Sequence, residues 1–253
     1  MKPALSFRQP HYPKSWNKLP NGELIRAEIS SQLTPWWPKF FGYHLLKIGA
    51  LSADLTINDS PIKNHISLTQ EPREHSVVAD VDELPLLEHS VDVCLLSHAL
   101  EFSIDPHHVV REANRVLIPN GYLVITGYNP FSLAGLNKLV PYRRGESPWK
   151  ERFFSPMRVK DWLQLMGFEI LLDQRTLHST LVANNEKRGK VAQYCQQLAS
   201  SYMPSVGSVY IIIAKKRVLP LTPIKPKWKL RPKFSTVNVS SMNSPKAQPK
   251  TIK

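Results

Sequence analysis

The chain has 253 residues, of which 42% are hydrophobic, and a formal net charge of +13. Its two cysteines, Cys94 and Cys195, cannot form a disulfide scaffold and make no metal-binding or redox pair. No apolar run approaches the ~18–20 residues that a membrane-spanning helix needs, and the first residues lack the apolar region of a secretory signal. We therefore expect a cytoplasmic protein with a large core and no membrane attachment.

The positive charge is concentrated at the end of the chain. From Lys215 onward there are eleven Lys and Arg and no Asp or Glu, which leaves 22 basic against 20 acidic residues, a net of +2, in the first 214. Residues 218–253 also hold six prolines and many serines. Such a composition cannot bury enough apolar surface to order itself, so a basic, disordered tail is predicted.

The N-terminal extension, residues 1–43, begins with an irregular, Pro-rich stretch. After it, Leu24, Ile25, Ile29 and Leu33 are spaced as on one face of a helix that Pro35 ends. This spacing predicts one amphipathic helix.

From residue 44 onward, strand-like and helix-like segments alternate. Strands are predicted in HLLKIGAL (44–51), HSVVADVDELP (75–85), VDVCLLSHAL (91–100) and YLVITGYNP (122–130). A helix with apolar residues at Val109, Val110, Ala113 and Val116 lies between the last two, and Pro119 with Asn120-Gly121 should end it. This alternation predicts a parallel sheet with crossover helices, a three-layer α/β fold.

The later part of the chain continues this pattern. Ser155 should cap a helix that ends at Gly167 and leads into a strand. A helical stretch over roughly 186–201 and the β-branched strand VGSVYIIIAKKR (206–217) follow. Open α/β sheets bind ligands at the carboxyl ends of their strands, so the site is expected there.

Residues 79–130 carry a specific resemblance. An acid at Asp80, then Leu84-Pro85, Val91-Asp92, the run Arg115–Gly121 and the strand Tyr122–Thr126 occur in order. The stretch resembles the middle of a class I S-adenosylmethionine-dependent methyltransferase of the type 11 family, and the resemblance extends over residues 44–217. It implies a Rossmann-like, mostly parallel twisted sheet with an antiparallel last strand, and S-adenosyl-L-methionine as cofactor.

The resemblance also implies site residues. Gly49 would lie in the donor-binding loop, Asp80 and Val81 would contact the adenine, and Ser97 would face the donor. His98 would be the catalytic residue, as a general base or by orienting the acceptor. Two other interpretations remain open: Asp80 as an ordinary turn acid, and His98 as a histidine satisfied at the start of a helix. His107 and His108 lack a third ligand, so no metal site is expected.

The donor loop departs from the family pattern of an acid followed by Gly-x-Gly-x-Gly. Lys47 replaces the acid, and Leu51 and Ala53 replace the later glycines. Leu51 should add bulk near the amino-acid end of the donor, while Lys47 could pair with the donor's carboxylate. The ribose-binding acid after the second strand is also missing, and Glu71 is a poor candidate for it.

These observations favour a methyltransferase acting on an unidentified acceptor, with a small molecule preferred. The alternative is a degenerate methyltransferase fold that serves as a binding or scaffold protein without catalysis. In either case the basic tail, with Trp228 and Phe234 between its cations, could bind nucleic acid.

Overall fold

The computed structural model describes residues 12–139, 147–179, 181 and 206–218. The predicted helical stretch at 186–201 and the tail from residue 219 lie outside these residues. Seven strands form one sheet: β1 His44–Ile48, β2 Asn64–Thr69, β3 Ser76–Val78, β4 Val91–Ser97, β5 Leu117–Tyr128, β6 Phe168–Thr176 and β7 Val209–Lys216. Six α-helices are described: α1 Gly22–Leu33, α2 Ala50–Ala53, α3 Ala99–Phe102, α4 Pro106–Val116, α5 Leu133–Leu136 and α6 Pro156–Leu165.

The strand order is β3-β2-β1-β4-β5-β7-β6. Strands β1 to β5 pair in parallel, whereas β7 pairs antiparallel with both of its neighbours, β5 and β6. The predicted α/β architecture with an antiparallel last strand is therefore confirmed. The order reverses between β1 and β4, and in such sheets ligands bind at the carboxyl ends of the strands beside that point.

Two apolar layers sandwich the sheet, because successive strand residues point to opposite faces. One layer contains Leu46, Leu96 and Ile212 and is covered by α4 and α6. The other contains Leu45, Leu95 and Ile211 and is covered by α1 and the N-terminal residues. The strands β4 and β7 are buried along nearly their whole length, as expected for central strands of a three-layer fold.

Local signals of the sequence explain several element ends. Ser155 caps α6, since its side-chain oxygen accepts a hydrogen bond from the Arg158 N–H at 3.3 Å, and Gly167 follows the helix with φ +84°. Strand β1 is shorter than predicted, because Gly49, with φ +87°, turns the chain into α2. The predicted stop at Asn120-Gly121 lies inside β5, where the pairing with β4 shifts register.

Candidate functional site

A cleft opens at the carboxyl ends of β1, β2 and β3, beside the point where the strand order reverses. Its cavity volume is about 140 Å³, smaller than the ~300–1,000 Å³ typical of small-molecule sites. Its lining residues come from the N-terminal segment and from the loops after these strands: Tyr12, Pro13, Lys14, Gly49, Ala50, Thr69, Gln70, Glu71, Arg73 and Val81.

Gly49 forms the floor of this cleft with an unusual backbone conformation, φ +87° and ψ 158°. Its N–H donates to the Leu68 carbonyl at 2.8 Å, which fixes the loop against β2. A Cβ at this position would meet no atom within 4 Å. The loop therefore leaves open space beside its backbone, and only glycine adopts this conformation without strain.

Two of the three departures from the family pattern in this loop, Leu51 and Lys47, have side chains that point into the protein. The Leu51 side chain is only 3% exposed and packs in the second apolar layer, so its bulk fills the core. The Lys47 ammonium donates to the Leu55 carbonyl at 2.7 Å. Burial lowers the pKa of Lys47, an effect that Asp54 partly opposes. Lys47 is therefore a structural residue here, and neither side chain lines the cleft.

The end of β2 has no carboxylate in its last position. Thr69 stands there, is 1% exposed, and donates its hydroxyl to the Glu71 carbonyl at 2.7 Å. The Glu71 side chain lines the cleft, where its carboxylate lies 2.7 Å from the Lys14 ammonium. Glu71, the poor sequence candidate for the ribose-binding acid, thus lies at the cleft. Its carboxylate is already paired with Lys14 of the N-terminal segment.

Asp80 and Val81 follow β3 at the rim of the same cleft. Val81 is buried and lines it. Asp80 is exposed, and its Oδ1 accepts hydrogen bonds from the Asp82 N–H at 3.2 Å and from the Gln70 side chain at 3.3 Å. The hydrogen bond from the Asp82 N–H is typical of a turn, so Asp80 has the geometry of a turn acid. It also lies next to two residues that line the cleft, Gln70 and Val81.

Ser97 and His98 end β4, but they lie beneath the surface instead of lining the cleft. The Ser97 N–H donates to the Ser52 Oγ at 2.8 Å, while the Ser97 hydroxyl has no partner among the described residues. His98 has φ +50°, and its backbone N–H donates to the Thr126 carbonyl at 3.0 Å. The imidazole is fully buried, and neither ring nitrogen has a hydrogen-bond partner in the described chain.

Three further polar side chains lie around this imidazole, and we call the four residues His98, Glu101, Tyr128 and Tyr210 the His98 cluster. Glu101 Oε1 is 3.5 Å from His98 Nδ1, and the Tyr128 ring centroid is 4.2 Å from that of His98. Burial, with the nearby Glu101 charge, raises the pKa of both tyrosines. Within the described residues, Glu101 Oε2 and both tyrosyl hydroxyls lack partners.

Gly127 makes room for this cluster. A Cβ on Gly127 would lie 2.4 Å from the Tyr210 hydroxyl and 2.5 Å from Glu101 Oε1. Any side chain at this position would displace one of the two groups. The approach of Glu101 to Tyr210 therefore depends on a glycine in β5.

The N-terminal segment, Tyr12–Leu19, covers both parts of the site. Trp16 is 1% exposed, donates its indole N–H to the Leu51 carbonyl at 3.0 Å, and packs edge-on against His98 with centroids 5.7 Å apart. Arg73 donates to the Lys14 carbonyl and, at 2.7 Å, to Asp54. Tyr12, Pro13 and Lys14 form one wall of the cleft, and Trp16 packs against the imidazole of the His98 cluster.

The sequence-predicted residues thus fall into two groups. Gly49 and Val81 line the cleft and Asp80 adjoins it, whereas Ser97 and His98 belong to the buried region below Trp16. Sequence reasoning named Tyr128 only as a weak substrate-side candidate and missed Glu101, Tyr210 and Trp16. Within the described ranges, no group of three His, Cys, Asp or Glu side chains is arranged to hold a metal ion, and no helix there has the length and apolar character needed to cross a bilayer.

Comparison with known proteins finds a family model, a sequence relative and several similar solved structures. A family model described as a methyltransferase domain matches residues 44–125. The chain is 42% identical to uncharacterized protein YafS of Escherichia coli (strain K12) over 222 residues, 88% of each chain.

Two solved structures have a similar fold. One is a SAM-dependent methyltransferase from Archaeoglobus fulgidus, with a TM-score of 0.52 at 19% identity, covering 76% of this chain and 94% of that one. The other is the putative methyltransferase of Haloferax volcanii solved with the Trm112 methyltransferase activator. It has a TM-score of 0.58 at 15% identity, covering 79% of this chain and 93% of that one.

Proposed function

This chain belongs to the class I S-adenosylmethionine-dependent methyltransferases, and we propose that it transfers the methyl group to a small-molecule acceptor held beside Ser97 and His98. S-adenosyl-L-methionine is the cofactor of this enzyme family.

The observation that carries the proposal is the open cradle at Gly49. A ligand can approach this backbone closely, because nothing lies within 4 Å of the missing Cβ. Val81 lines the same cleft on the far side of β2, and Asp80 precedes it. The residues present therefore suit the adenosine half of the donor, with the adenine near Asp80 and Val81 and the rest of the molecule passing over Gly49.

Each of these residues would hold a different part of the donor. The Asp80 carboxylate can accept a hydrogen bond from the adenine amino group, and the Val81 N–H can donate to a ring nitrogen. The Gly49 backbone would pack against the chain that leads to the sulfonium. When bound, the donor supplies an electrophilic methyl group that needs no further activation.

The protein's remaining contribution is positioning and exclusion of water. The acceptor nucleophile must be held in line with the methyl group at near-contact distance, which supplies much of the rate in such transfers. His98 is fully buried beneath Trp16 and has free ring nitrogens in the described chain. It is therefore available to take a proton from an acceptor that must lose one.

The alternative, a scaffold protein without catalysis, is favoured by the departures in the donor site. Lys47 is engaged with the Leu55 carbonyl, and Thr69 stands where a carboxylate would hold the ribose. Losing hydrogen bonds to a charged group costs about 1.5–3 kcal/mol, or roughly 10–150-fold in affinity. Such a loss weakens the donor site without abolishing it, so a methyltransferase should still bind the donor measurably. A scaffold protein need not bind it, and a donor-binding measurement therefore distinguishes the two functions.

The test is isothermal titration of the full chain with S-adenosylmethionine and with its demethylated product. We expect saturable binding, weakened roughly 10-fold in Asp80→Ala, where one charged hydrogen bond is lost. Asp59→Ala, which removes an exposed carboxylate away from this cleft, should bind like the wild type. A folded wild-type chain that binds neither compound at millimolar concentration would establish the scaffold function instead.

A nucleic-acid partner is a separate proposal that rests on the tail. Eleven cations and no acids from Lys215 to Lys253 suit a phosphate backbone. RNA affinity should then fall steeply with salt and disappear when residues 218–253 are deleted. Binding that does not change with salt would contradict it.

A further inference from the structure

Glu101 is a buried carboxylate with an incomplete set of partners. Its side chain has no exposed surface. Oε1 accepts a hydrogen bond from the Tyr128 backbone N–H at 2.7 Å, whereas Oε2 has no partner in the described part of the chain. Across residues 12–139, 147–179, 181 and 206–218, no Lys or Arg lies within ion-pair distance of Glu101, and its only such neighbour is His98.

An arrangement of this kind is costly to a folded protein. Burying a carboxylate without a cation or a full set of hydrogen bonds opposes folding. The Tyr128 and Tyr210 hydroxyls have no hydrogen-bond partner in the described chain either, so neither donates to Oε2. In the described structure, the second oxygen of this buried carboxylate is therefore free to accept a hydrogen bond from a bound ligand.

The surroundings of Glu101 are aromatic. Tyr128 lies against His98, and Phe153 stacks on Tyr128 with centroids 5.1 Å apart. Trp16 packs edge-on against His98. Aromatic faces carry partial negative charge and attract cations, particularly where water is excluded. A buried carboxylate inside an aromatic shell is the combination that binds an ammonium group, and it repels anions.

We propose that the acceptor is an amine, bound as an ammonium group between Glu101 and the aromatic rings of the His98 cluster and Trp16. This inference rests on the proposed function and specifies its acceptor. It argues against phosphate or carboxylate groups at the methylated position, because either would bring a second negative charge against Glu101 in a dry site.

In the methyl transfer, the proton and the electron pairs each have a defined source and destination. The ammonium group gives one proton to a free ring nitrogen of His98, which leaves a neutral amine. The nitrogen lone pair forms the new N–C bond while the C–S bond breaks and its electron pair stays on sulfur. The N-methylated ammonium product keeps its positive charge beside Glu101, and His98 later releases the proton to solvent.

Access to this position requires the N-terminal segment to move. His98 and Glu101 are both fully buried, and Trp16 of the N-terminal segment packs edge-on against the imidazole. Its indole makes one hydrogen bond, to the Leu51 carbonyl. Moving Tyr12–Leu19 aside would open the His98 cluster and the wall of the cleft together.

Two probes of similar size and different charge test this proposal: trimethylammonium chloride and tert-butanol. Affinity is measured by tryptophan fluorescence at matched ionic strength, with and without saturating S-adenosylhomocysteine. Trimethylammonium should bind wild type at least roughly 10-fold more tightly than tert-butanol, as expected for one charge-assisted contact. The difference should vanish in Glu101→Gln, which retains the oxygen that accepts from the Tyr128 N–H, and persist in the exposed control Glu88→Gln.

Equal affinity for the two probes, absence of trimethylammonium binding, or a difference that survives in Glu101→Gln would overturn the amine assignment. The wild-type comparison stands by itself if Glu101→Gln fails to fold. S-adenosylhomocysteine binding is measured in the same samples. Failure of ammonium binding with the donor product bound overturns only the acceptor class, whereas failure to bind the donor product overturns the proposed function.

Discussion

Gly49→Ala tests whether the methyl donor occupies the open space beside Gly49. Gly49 has φ +87°, and the added Cβ would enter open space at the cleft instead of meeting protein atoms. Gly167 provides a matched control, since it has φ +84° but follows α6, away from the cleft. Its added Cβ would lie 3.3 Å from the Arg217 carbonyl oxygen.

The expected magnitudes follow from this geometry. An alanine at positive φ costs about 1–3 kcal/mol of folding free energy, and in Gly167→Ala the 3.3 Å contact with the Arg217 carbonyl oxygen adds to that cost. Only the Gly49→Ala methyl group would occupy the space where the donor passes. If it displaces one hydrogen-bonded group of the ligand, it costs about 1.5–3 kcal/mol, which corresponds to roughly 10–150-fold weaker binding.

The assay is urea denaturation of both variants together with titration of S-adenosylhomocysteine. We predict that Gly167→Ala loses at least as much unfolding free energy as Gly49→Ala, with weakened binding in Gly49→Ala alone. Unchanged affinity in a folded Gly49→Ala would refute the assignment of the cradle. An equal loss of affinity in Gly167→Ala would show that the effect comes from general destabilisation.

Two further predictions concern Lys47 and Trp16. Burial lowers the pKa of Lys47 from its usual value near 10.5, so the unfolded chain binds more protons between the two values and the free energy of unfolding rises with pH there. Urea denaturation across alkaline pH should show a smaller rise in Lys47→Met, and identical slopes would contradict a buried ammonium. Trp16→Ala should lower the free energy of unfolding by about 3–5 kcal/mol and expose His98 to diethyl pyrocarbonate. Trp16→Phe should lose only about 1 kcal/mol, and a His98 equally unreactive in both variants would contradict the covering role.

The parts of the fold that the sequence predicts well are those set by local chemistry. The apolar spacing in α4 and the Ser155 cap of α6 each depend on neighbouring residues, and both are confirmed. The β5 segment was less predictable. Asn120-Gly121 is a strong turn signal, but pairing with β4 on both sides of it keeps the segment in the sheet.

The candidate site was only partly predictable, because most of its contacts join distant parts of the chain. Gly49 and Val81 were found from their motifs. Nothing in the Pro-rich start of the chain indicates that Trp16 covers His98. The sequence also suggests that Leu51 adds bulk beside the donor and that Lys47 could pair with the donor's carboxylate, whereas burial directs both side chains into the protein.

Glu101 is the most instructive omission. A glutamate at the start of a helix is ordinarily solvent-exposed, and no neighbouring residue signals otherwise. Its burial depends on Gly127 in β5, which leaves the space that Glu101 and Tyr210 share. Only the folded structure brings these residues together and leaves a carboxylate oxygen free among aromatic rings.

The central claim is that the cleft beside Gly49 holds the methyl donor with its sulfur directed toward His98. A crystal structure of the full chain with S-adenosylhomocysteine tests this most directly. We predict adenine density against Asp80 and Val81, the ligand passing over Gly49, and the sulfur nearest Ser97 and His98. Ligand bound elsewhere, or reversed so that the sulfur lies at Asp80, would contradict the account.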